Sequence, residues 1–99
     1  MSDQPNRYVV AYDIVDDKRR SRVAKYLQQF GVRAQFSVFL CDLRPARMNR
    51  VAAGIEDLIE VDEDSVMVCR VGVATSLEPR AFVWLGRERP EPPTGAIIV

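Results

Sequence analysis

Residues 7–22 constrain the fold more than any other part of the sequence. Their first half, Arg7-Tyr-Val-Val-Ala-Tyr-Asp-Ile14, is a nearly continuous apolar run, which is typical of a buried central strand. Asp16 or Asp17 then provides the N-cap of a helix whose first turns are basic. The pattern therefore delivers one carboxylate, Asp13, to the end of a strand beside a basic helix start. Such a place suits a metal ion or a phosphate, although many ordinary strand-to-helix turns share it.

Hydrophobic periodicity predicts the order of the remaining elements. Apolar positions recur at three- and four-residue steps from residue 20 to residue 30, and Gly31 is expected to end this helix in a left-handed conformation. Residues 33–41 alternate, so one kinked strand or a tight hairpin near Phe36 and Ser37 fits equally well. Pro45 suits the first turn of a second helix. Residues 65–71 alternate again and predict a further strand.

This order is the split βαβ arrangement, which predicts a ferredoxin-like α+β fold with both helices on one face of an antiparallel sheet. The alternation places Phe39 on the other face, where it is too apolar for water, so a face-to-face homodimer is expected. The predicted ferredoxin-like domain covers residues 1–86 and includes a strand candidate at 80–85. Residues 87–99 are expected to form a solvated linker and a C-terminal strand, Ala96–Val99, which adds to a sheet edge of its own subunit or a partner.

Composition excludes several kinds of chemistry. The 99 residues suffice for one domain, and no apolar run approaches the roughly 20 residues that span a bilayer, so a cytoplasmic location without a membrane partner is expected. The chain has no histidine, which excludes Ser-His-Asp and Cys-His catalysis and leaves a structural zinc site without support. Cys41 and Cys69 lie far apart in strand-like runs and are expected to be packing or inert thiols. An enzyme built from this chain would use carboxylates, hydroxyls, arginines or a metal ion.

Charge is distributed unevenly along a chain whose net charge is zero. Residues 1–50 carry ten basic and five acidic side chains, whereas residues 51–99 carry four basic and nine acidic ones. Nucleic-acid binding would therefore require a local patch in the first half, and arginine, which is twelve of the fourteen basic residues, suits phosphate contacts. The acidic side chains near the second helix are expected to form solvated surface or to dock on a basic partner: Glu56, Asp57, Glu60, Asp62, Glu63 and Asp64.

An ordered series of short motifs resembles the small adaptation protein of CRISPR systems, the second of the two universal CRISPR-associated proteins, often called an endoribonuclease. The series runs between residues 8 and 71 and consists of Tyr12-Asp-Ile, Asp16-Asp17-Lys-Arg-Arg20-x-Arg22-Val, Gly31-Val-Arg33-x-Gln35-x-Ser37-Val-Phe39 and Glu63-Asp64-Ser65-Val66. No single motif is specific, but their order is.

The resemblance implies a homodimer in which the Asp13 carboxylates of two subunits face each other near the two-fold axis and hold Mg²⁺ or Mn²⁺. Asp13 would then be both metal ligand and catalytic residue of a metal-dependent endonuclease acting on single-stranded RNA or double-stranded DNA. The implied nucleic-acid contacts are Arg19, Arg20, Arg22 and Arg33, and the implied interface or site-lining residues are Tyr12, Gln35, Ser37 and Phe39. The implied role is spacer acquisition, in which the dimer bridges the larger integrase subunits on captured DNA.

Several alternatives stay open. Arg20 could form a structural ion pair with Asp13, and the basic residues of the first helix could be an ordinary solvated face. A non-catalytic scaffold of the adaptation complex needs only the dimer and its arginines, so charge reversal at Arg19 or Arg22, or loss of residues 96–99, would harm assembly while Asp13 stayed dispensable. A toxin-like ribonuclease of similar fold is the third alternative.

Overall fold

One antiparallel sheet and two helices make up the part of the chain that the structure, a computed structural model, describes, namely residues 3–92. The elements in chain order are β1 (Asn6–Asp13), α1 (Asp17–Leu27), β2 (Val32–Gln35), β3 (Val38–Leu43), α2 (Pro45–Leu58), β4 (Ser65–Val73) and a 3-10 turn (Ala74–Ser76). The strands lie in the order β2-β3-β1-β4, and all three pairings are antiparallel. The predicted ferredoxin-like α+β fold is confirmed.

Both helices begin where their capping residues predict. The Asp16 side chain accepts a hydrogen bond of 2.9 Å from the backbone N–H of Arg19, which satisfies one of the free donors of the first turn of α1. This hydrogen bond lowers the pKa of the Asp16 carboxyl. Pro45 occupies the first turn of α2, where a missing N–H costs nothing.

Gly31 does not end α1 in the left-handed conformation, so that prediction was wrong. Within residues 3–92 a positive φ occurs only at Gly72 and Gly86. Gly31 instead lies against β3, where a Cβ atom would collide with the carbonyl oxygen of Leu40 and with Sγ of Cys41. A residue without a side chain is needed at position 31 because its backbone lies close to the backbone of β3, not because the chain turns there.

Residues 33–41 form a hairpin rather than one kinked strand. The β2 and β3 strands pair around a turn at Phe36 and Ser37, with an irregularity in register between Arg33 and Gln35. The prediction that Phe39 faces away from the helices was wrong, because its side chain is fully buried in the core cluster. The polar residues of this alternating run belong to the edge strand and the turn. They therefore do not indicate which face of β3 is exposed to solvent.

The core lies between the helices and one face of the sheet. Its larger members come from both helices and from the two central strands: Tyr8, Val10, Tyr12, Val23, Leu27, Phe39, Cys41, Met48, Val51 and Ile55. Cys41 is a fully buried member of this core, which confirms it as a packing residue, and burial raises the pKa of its thiol to about 12. Cys69 is also in a strand, as predicted, but it is exposed on β4.

The other face of the sheet, termed the open face, carries no helix formed by residues 3–92. Alternation along β1 places Arg7, Val9, Ala11 and Asp13 on this face, opposite to the core residues. The register then sets Val38 and Met67 on either side of Ala11, and Leu40 and Cys69 on either side of Val9. The centre of the open face is therefore a block of apolar side chains, with Asp13 at one end and Arg7 at the other.

The segment after β4 covers the Arg7 end of the open face. The Arg7 guanidinium donates to both carboxylate oxygens of Asp42 at 2.8 and 3.0 Å, to Glu91 at 2.9 Å and to the carbonyl of Pro92 at 3.2 Å. These partners raise the pKa of Arg7. Asp13 lies six residues further along β1, about 20 Å away in an extended strand. The segment is thus anchored far from the Asp13 end.

Residues 80–85 are not a strand, which corrects the prediction made for them. Their backbone follows bends and turns, and Phe82 lies with its ring 5.5 Å from the Arg7 guanidinium. The linker expected to be solvated is exposed at residues 87 and 88, but Glu91 is paired and Pro92 is buried. The predicted terminal strand, Ala96–Val99, lies outside the described residues. None of the helices within residues 3–92 has the length and apolar character needed to cross a bilayer.

Candidate nucleic-acid and metal site

Asp13 is the last residue of β1, it is exposed, and it lies opposite Ser65 of β4. Mg²⁺ in proteins is usually bound by one or two carboxylates together with water and phosphate oxygens. Residues 3–92 contain no cluster of three or more histidine, cysteine or acidic side chains that could hold a metal ion. The carboxylate of Asp13 has the donor chemistry that suits Mg²⁺ or Mn²⁺, at the lower end of the number of carboxylates that usually bind these ions.

A groove of about 480 Å³ lies between α1 and the β2–β3 hairpin, and we term it the basic groove. Its polar and aromatic lining consists of Arg20, Ser21, Arg22, Lys25, Gln28, Arg33 and Phe36, with no carboxylate among the lining residues. Arg22 and Lys25 are exposed and make no ion pair with any residue in 3–92. The groove is thus a concentration of positive charge on a chain whose net charge is zero.

Arg20 and Arg33 connect the basic groove to the backbone around Asp13. Arg20 donates from Nη1 to the carbonyl of Ile14 at 2.9 Å, one residue after Asp13, and its other amino group pairs with Asp17. The alternative of an ion pair between Arg20 and Asp13 is not found within the described residues, where the carboxylate partner of Arg20 is Asp17. Arg33 donates from Nε to the carbonyl of Phe36 at 3.1 Å, which ties β2 to its own turn.

The hairpin turn is bonded to the end of β1. The Tyr12 hydroxyl donates to the carbonyl of Phe36 at 3.4 Å, and the Tyr12 backbone N–H donates to the carbonyl of Ser37 at 3.0 Å. Tyr12 is buried and its ring stacks on Phe39 at 6.4 Å, so both support the site from the core of this protomer instead of lining its surface. Gln35 is exposed and Ser37 is half-buried. The structure therefore gathers Asp13, the hairpin turn and the basic groove at one end of the molecule.

Arg19 is held apart from this group by acidic partners. It donates to both carboxylate oxygens of Asp64 at 2.8 and 3.1 Å, and to Glu63 at 3.1 Å. The Asp64 side chain is fully buried and also accepts hydrogen bonds from the backbone N–H groups of Val15 and Glu60 at 3.2 and 2.9 Å. The expectation that Asp64 is solvated surface was wrong. Its carboxylate joins the start of β4 to the loop that follows Asp13.

The Arg19 hydrogen bonds lower the pKa of Asp64 to about 2, and the two backbone donors act in the same direction. A carboxyl group whose folded pKa lies below its ordinary value of about 3.9 adds stability above that value, and this stability is lost as the pH falls through the folded pKa. We therefore expect the stabilisation from Asp64 to be complete at neutral pH and to disappear between about pH 4 and pH 2.

Replacing Asp64 with Asn should remove this pH dependence and lower the melting temperature at pH 7. The reason is that Arg19 loses its ionic partner while the shape of the side chain is kept. Thermal unfolding at several pH values measures both effects, and Glu63→Gln, which changes an exposed partner of the same arginine, is the matched control with the smaller change expected. Equal slopes of melting temperature against pH in the wild type and Asp64→Asn would contradict this account.

Two features of the candidate site were missed by reasoning from the sequence. Phe36 is 71% exposed at the hairpin turn, whereas the sequence pattern shows it only as one member of an alternating run. The available signal was an aromatic residue in a turn, flanked by Gln35 and Ser37, where polar residues are usual. The pairing of Arg19 with Asp64, 45 positions later, had no local signal.

Comparisons with known proteins bear on the family and the fold of the chain. The family model described as CRISPR associated protein Cas2 matches residues 6–76. A CRISPR-associated endoribonuclease Cas2 of Synechocystis sp. is 34% identical over 92 residues, which is 93% of this chain and 97% of that protein. Another, of Rhodospirillum rubrum, is 46% identical over 63 residues, which is 64% of this chain but only about half, 51%, of that protein.

Two solved structures extend the similarity to the fold. The crystal structure of Streptococcus pyogenes Cas2 at pH 6.5 superposes with a TM-score of 0.70 and 28% identity, covering 81% of this chain and 99% of that one. The crystal structure of a hypothetical protein from Thermus thermophilus gives a TM-score of 0.75 and 28% identity, covering 89% of this chain and 99% of that one. From the family model, the relatives and the shared fold, we conclude that the chain belongs to the CRISPR-associated Cas2 family.

Proposed function

We propose that this protein acts in CRISPR spacer acquisition as a homodimer that binds captured DNA in its basic grooves and hydrolyses phosphodiester bonds at a metal site shared by two Asp13 residues. The observation that carries the proposal is the isolated, exposed carboxylate of Asp13 at the end of the apolar open face. A symmetric pairing through that face turns one acid per chain into two at one place.

The apolar surface of the open face supports the dimer. The register places Ala11 between Val38 and Met67, and the Met67 side chain is 56% exposed. Further along β4, Cys69 is exposed, and Val71, four residues after Met67, is 38% exposed. Exposed apolar side chains on one face of a sheet are a common mark of a protein interface, and a second copy would remove them from water. The segment anchored to Arg7 leaves the Asp13 end available for that contact.

Different residues of this chain would hold the metal ion and the phosphates. The two Asp13 carboxylates would hold Mg²⁺ or Mn²⁺, which when bound supplies an activated water and neutralises developing negative charge. Arg20, Arg22 and Arg33 would hold phosphates through charge-assisted hydrogen bonds. Since Arg20 is bonded to the Ile14 carbonyl, it also fixes the backbone beside Asp13. The chain has no histidine, so no imidazole takes part in proton transfer.

Single-stranded RNA and double-stranded DNA are the substrates proposed for the hydrolysis, and the larger integrase subunit is the proposed protein partner. The exposed acids near the end of α2, among them Glu56, Asp57 and Glu60, offer a negatively charged surface, and none of them lines the basic groove. Such a surface would complement a basic partner protein and repel nucleic acid. In this arrangement the dimer bridges integrase subunits while DNA lies across the arginines.

A non-catalytic scaffold is the second candidate function. One observation favours it, namely that the basic groove is formed within a single chain from residues that need no metal to bind phosphate. Both candidates require the groove, whereas only hydrolysis requires Asp13. The two are therefore separated by whether Asp13 matters to the function.

Replacing Arg22 with Gln should weaken duplex DNA binding about tenfold at physiological salt. The slope of log affinity against log salt concentration should fall by about the amount expected for one lost phosphate contact per groove. Affinity is measured by fluorescence anisotropy at several salt concentrations, with a chelator present so that cleavage does not intervene. Arg80→Gln is the matched control, because Arg80 is exposed and lies outside the groove. Equal losses in the two variants would show that binding depends on overall charge, and would contradict the role of the groove.

A further inference from the structure

The tip of the β2–β3 hairpin presents an aromatic ring to solvent. Phe36 is 71% exposed, whereas Phe39, three residues later, is completely buried. Exposing a phenylalanine side chain forgoes roughly 2 kcal/mol of burial free energy. Turn positions seldom carry such a ring, because polar residues and glycine satisfy the geometry of a turn better.

The ring is held in place by its surroundings. The Phe36 carbonyl accepts hydrogen bonds from Arg33 Nε at 3.1 Å and from the Tyr12 hydroxyl at 3.4 Å, so the backbone that carries the ring is fixed from two sides. The guanidinium carbons of Arg33 and Arg20 lie 5.5 and 5.9 Å from the ring centroid, within the range of cation–π attraction. Phe36 is therefore an exposed ring on a bonded turn with two cations beside it.

The same ring forms one wall of the basic groove, whose other cations are Arg22 and Lys25. The volume of about 480 Å³ is in the range of small-ligand sites. An aromatic face next to several cations matches the two parts of a nucleotide, a flat base and a phosphate. Proteins that bind single strands combine stacking rings with basic grooves in this way. A base inside a duplex is already paired and stacked, so only an unpaired base is free to lie on this ring.

We propose that Phe36 is a stacking platform for an unpaired base of single-stranded nucleic acid, with Arg22, Lys25 and Arg33 holding the flanking phosphates. This inference rests on the proposed nucleic-acid function and names the kind of nucleotide that the groove takes. RNA and DNA share the chemistry, since every base offers a π-face. The arginines alone would hold any backbone, whereas the ring selects nucleotides that lie outside a double helix.

The test uses three probes and the full-length protein in the presence of a chelator. The probes are labelled oligouridylate, labelled oligodeoxythymidylate and a relaxed closed-circular duplex, which has neither ends nor unpaired bases. Phe36→Leu keeps an apolar side chain and removes the π-face, Phe36→Tyr keeps the π-face, and Leu85→Ala changes a 92% exposed apolar residue outside the groove. The melting temperature of each variant is measured to establish that it is folded.

Phe36→Leu is expected to weaken binding of the single strands about tenfold and to leave the affinity for the circular duplex unchanged. Phe36→Tyr and Leu85→Ala should bind all three probes as the wild type does. Weakening of one single strand only would identify the sugar for which the platform is built. Unchanged single-strand affinity in Phe36→Leu would overturn the proposal, and so would an equal loss of affinity for the duplex. A Phe36→Leu variant whose only change is a different oligomeric mass would also overturn it, because the ring would then be a contact between protein chains. A wild-type protein that binds none of the probes would overturn the proposed function as well.

Discussion

Replacing Asp13 with Asn is expected to reduce metal-dependent cleavage at least about 100-fold and to leave duplex binding unchanged. The substitution keeps the size of the side chain but removes the charged ligand from both halves of the shared site. Losing groups that merely orient metal ligands already costs about 10- to 100-fold, so losing the ligand itself should cost more. The grooves are intact in this variant because Asp13 makes no ion pair with their arginines among the described residues.

Cleavage of labelled RNA and duplex DNA with Mg²⁺ or Mn²⁺ measures the first effect, and anisotropy with a chelator measures the second. Asp62→Asn is the matched control, because Asp62 is an exposed acid in the turn before β4. Cleavage that persists in Asp13→Asn would remove this residue from the mechanism. A wild-type protein that cleaves neither substrate with either metal, yet binds DNA, would leave the scaffold as the function.

Replacing Phe39 with Ala should destabilise the fold by about 3–5 kcal/mol, because a fully buried ring is removed from the centre of the core. Domains of this size have a total stability of about 5–15 kcal/mol, so the loss is a large share of it. The melting temperature should fall by at least about 10 °C. Tyr12, whose ring stacks on Phe39, would lose its packing partner beneath the hairpin turn.

Phe36→Ala is the control for this effect, since it removes the same side chain from the same hairpin at an exposed position. We expect its melting temperature to stay within a few degrees of the wild type. Thermal unfolding followed by circular dichroism compares the two variants directly. Similar melting temperatures for Phe36→Ala and Phe39→Ala would contradict the placement of Phe39 in the core, and would restore the alternative that it faces a second subunit.

The sequence predicted the secondary-structure elements well where interactions between neighbouring residues determine their boundaries. The apolar run to Ile14, the Asp16 cap and Pro45 in the first turn of α2 each fix one boundary through nearby backbone groups. The face of β3 was a different kind of question. Its answer depends on the turn at residues 36 and 37, which assigns the polar positions to another strand, and on the helices that cover Phe39. Alternation alone gives two faces and does not say which one is buried.

The candidate site shows the same division between local and long-range causes. Arg19 and Arg20 are adjacent in α1, and the resemblance implied the same role for both. In the structure the two arginines have different partners. The Arg19 guanidinium binds Asp64 at the start of β4, whereas Arg20 donates to the Ile14 carbonyl and lines the basic groove. No pattern within α1 distinguishes these two arginines. The exposed position of Asp13, by contrast, followed from the end of the strand that precedes the helix.

The central claim is that one Asp13 carboxylate per chain becomes a metal site only when two chains meet. Titration with Mn²⁺, followed by electron paramagnetic resonance on protein of known mass, measures it most directly. We predict about one bound Mn²⁺ for every two chains, in a species with the mass of a dimer, and loss of that binding in Asp13→Asn. One Mn²⁺ per chain, or binding that survives in Asp13→Asn, would contradict the claim.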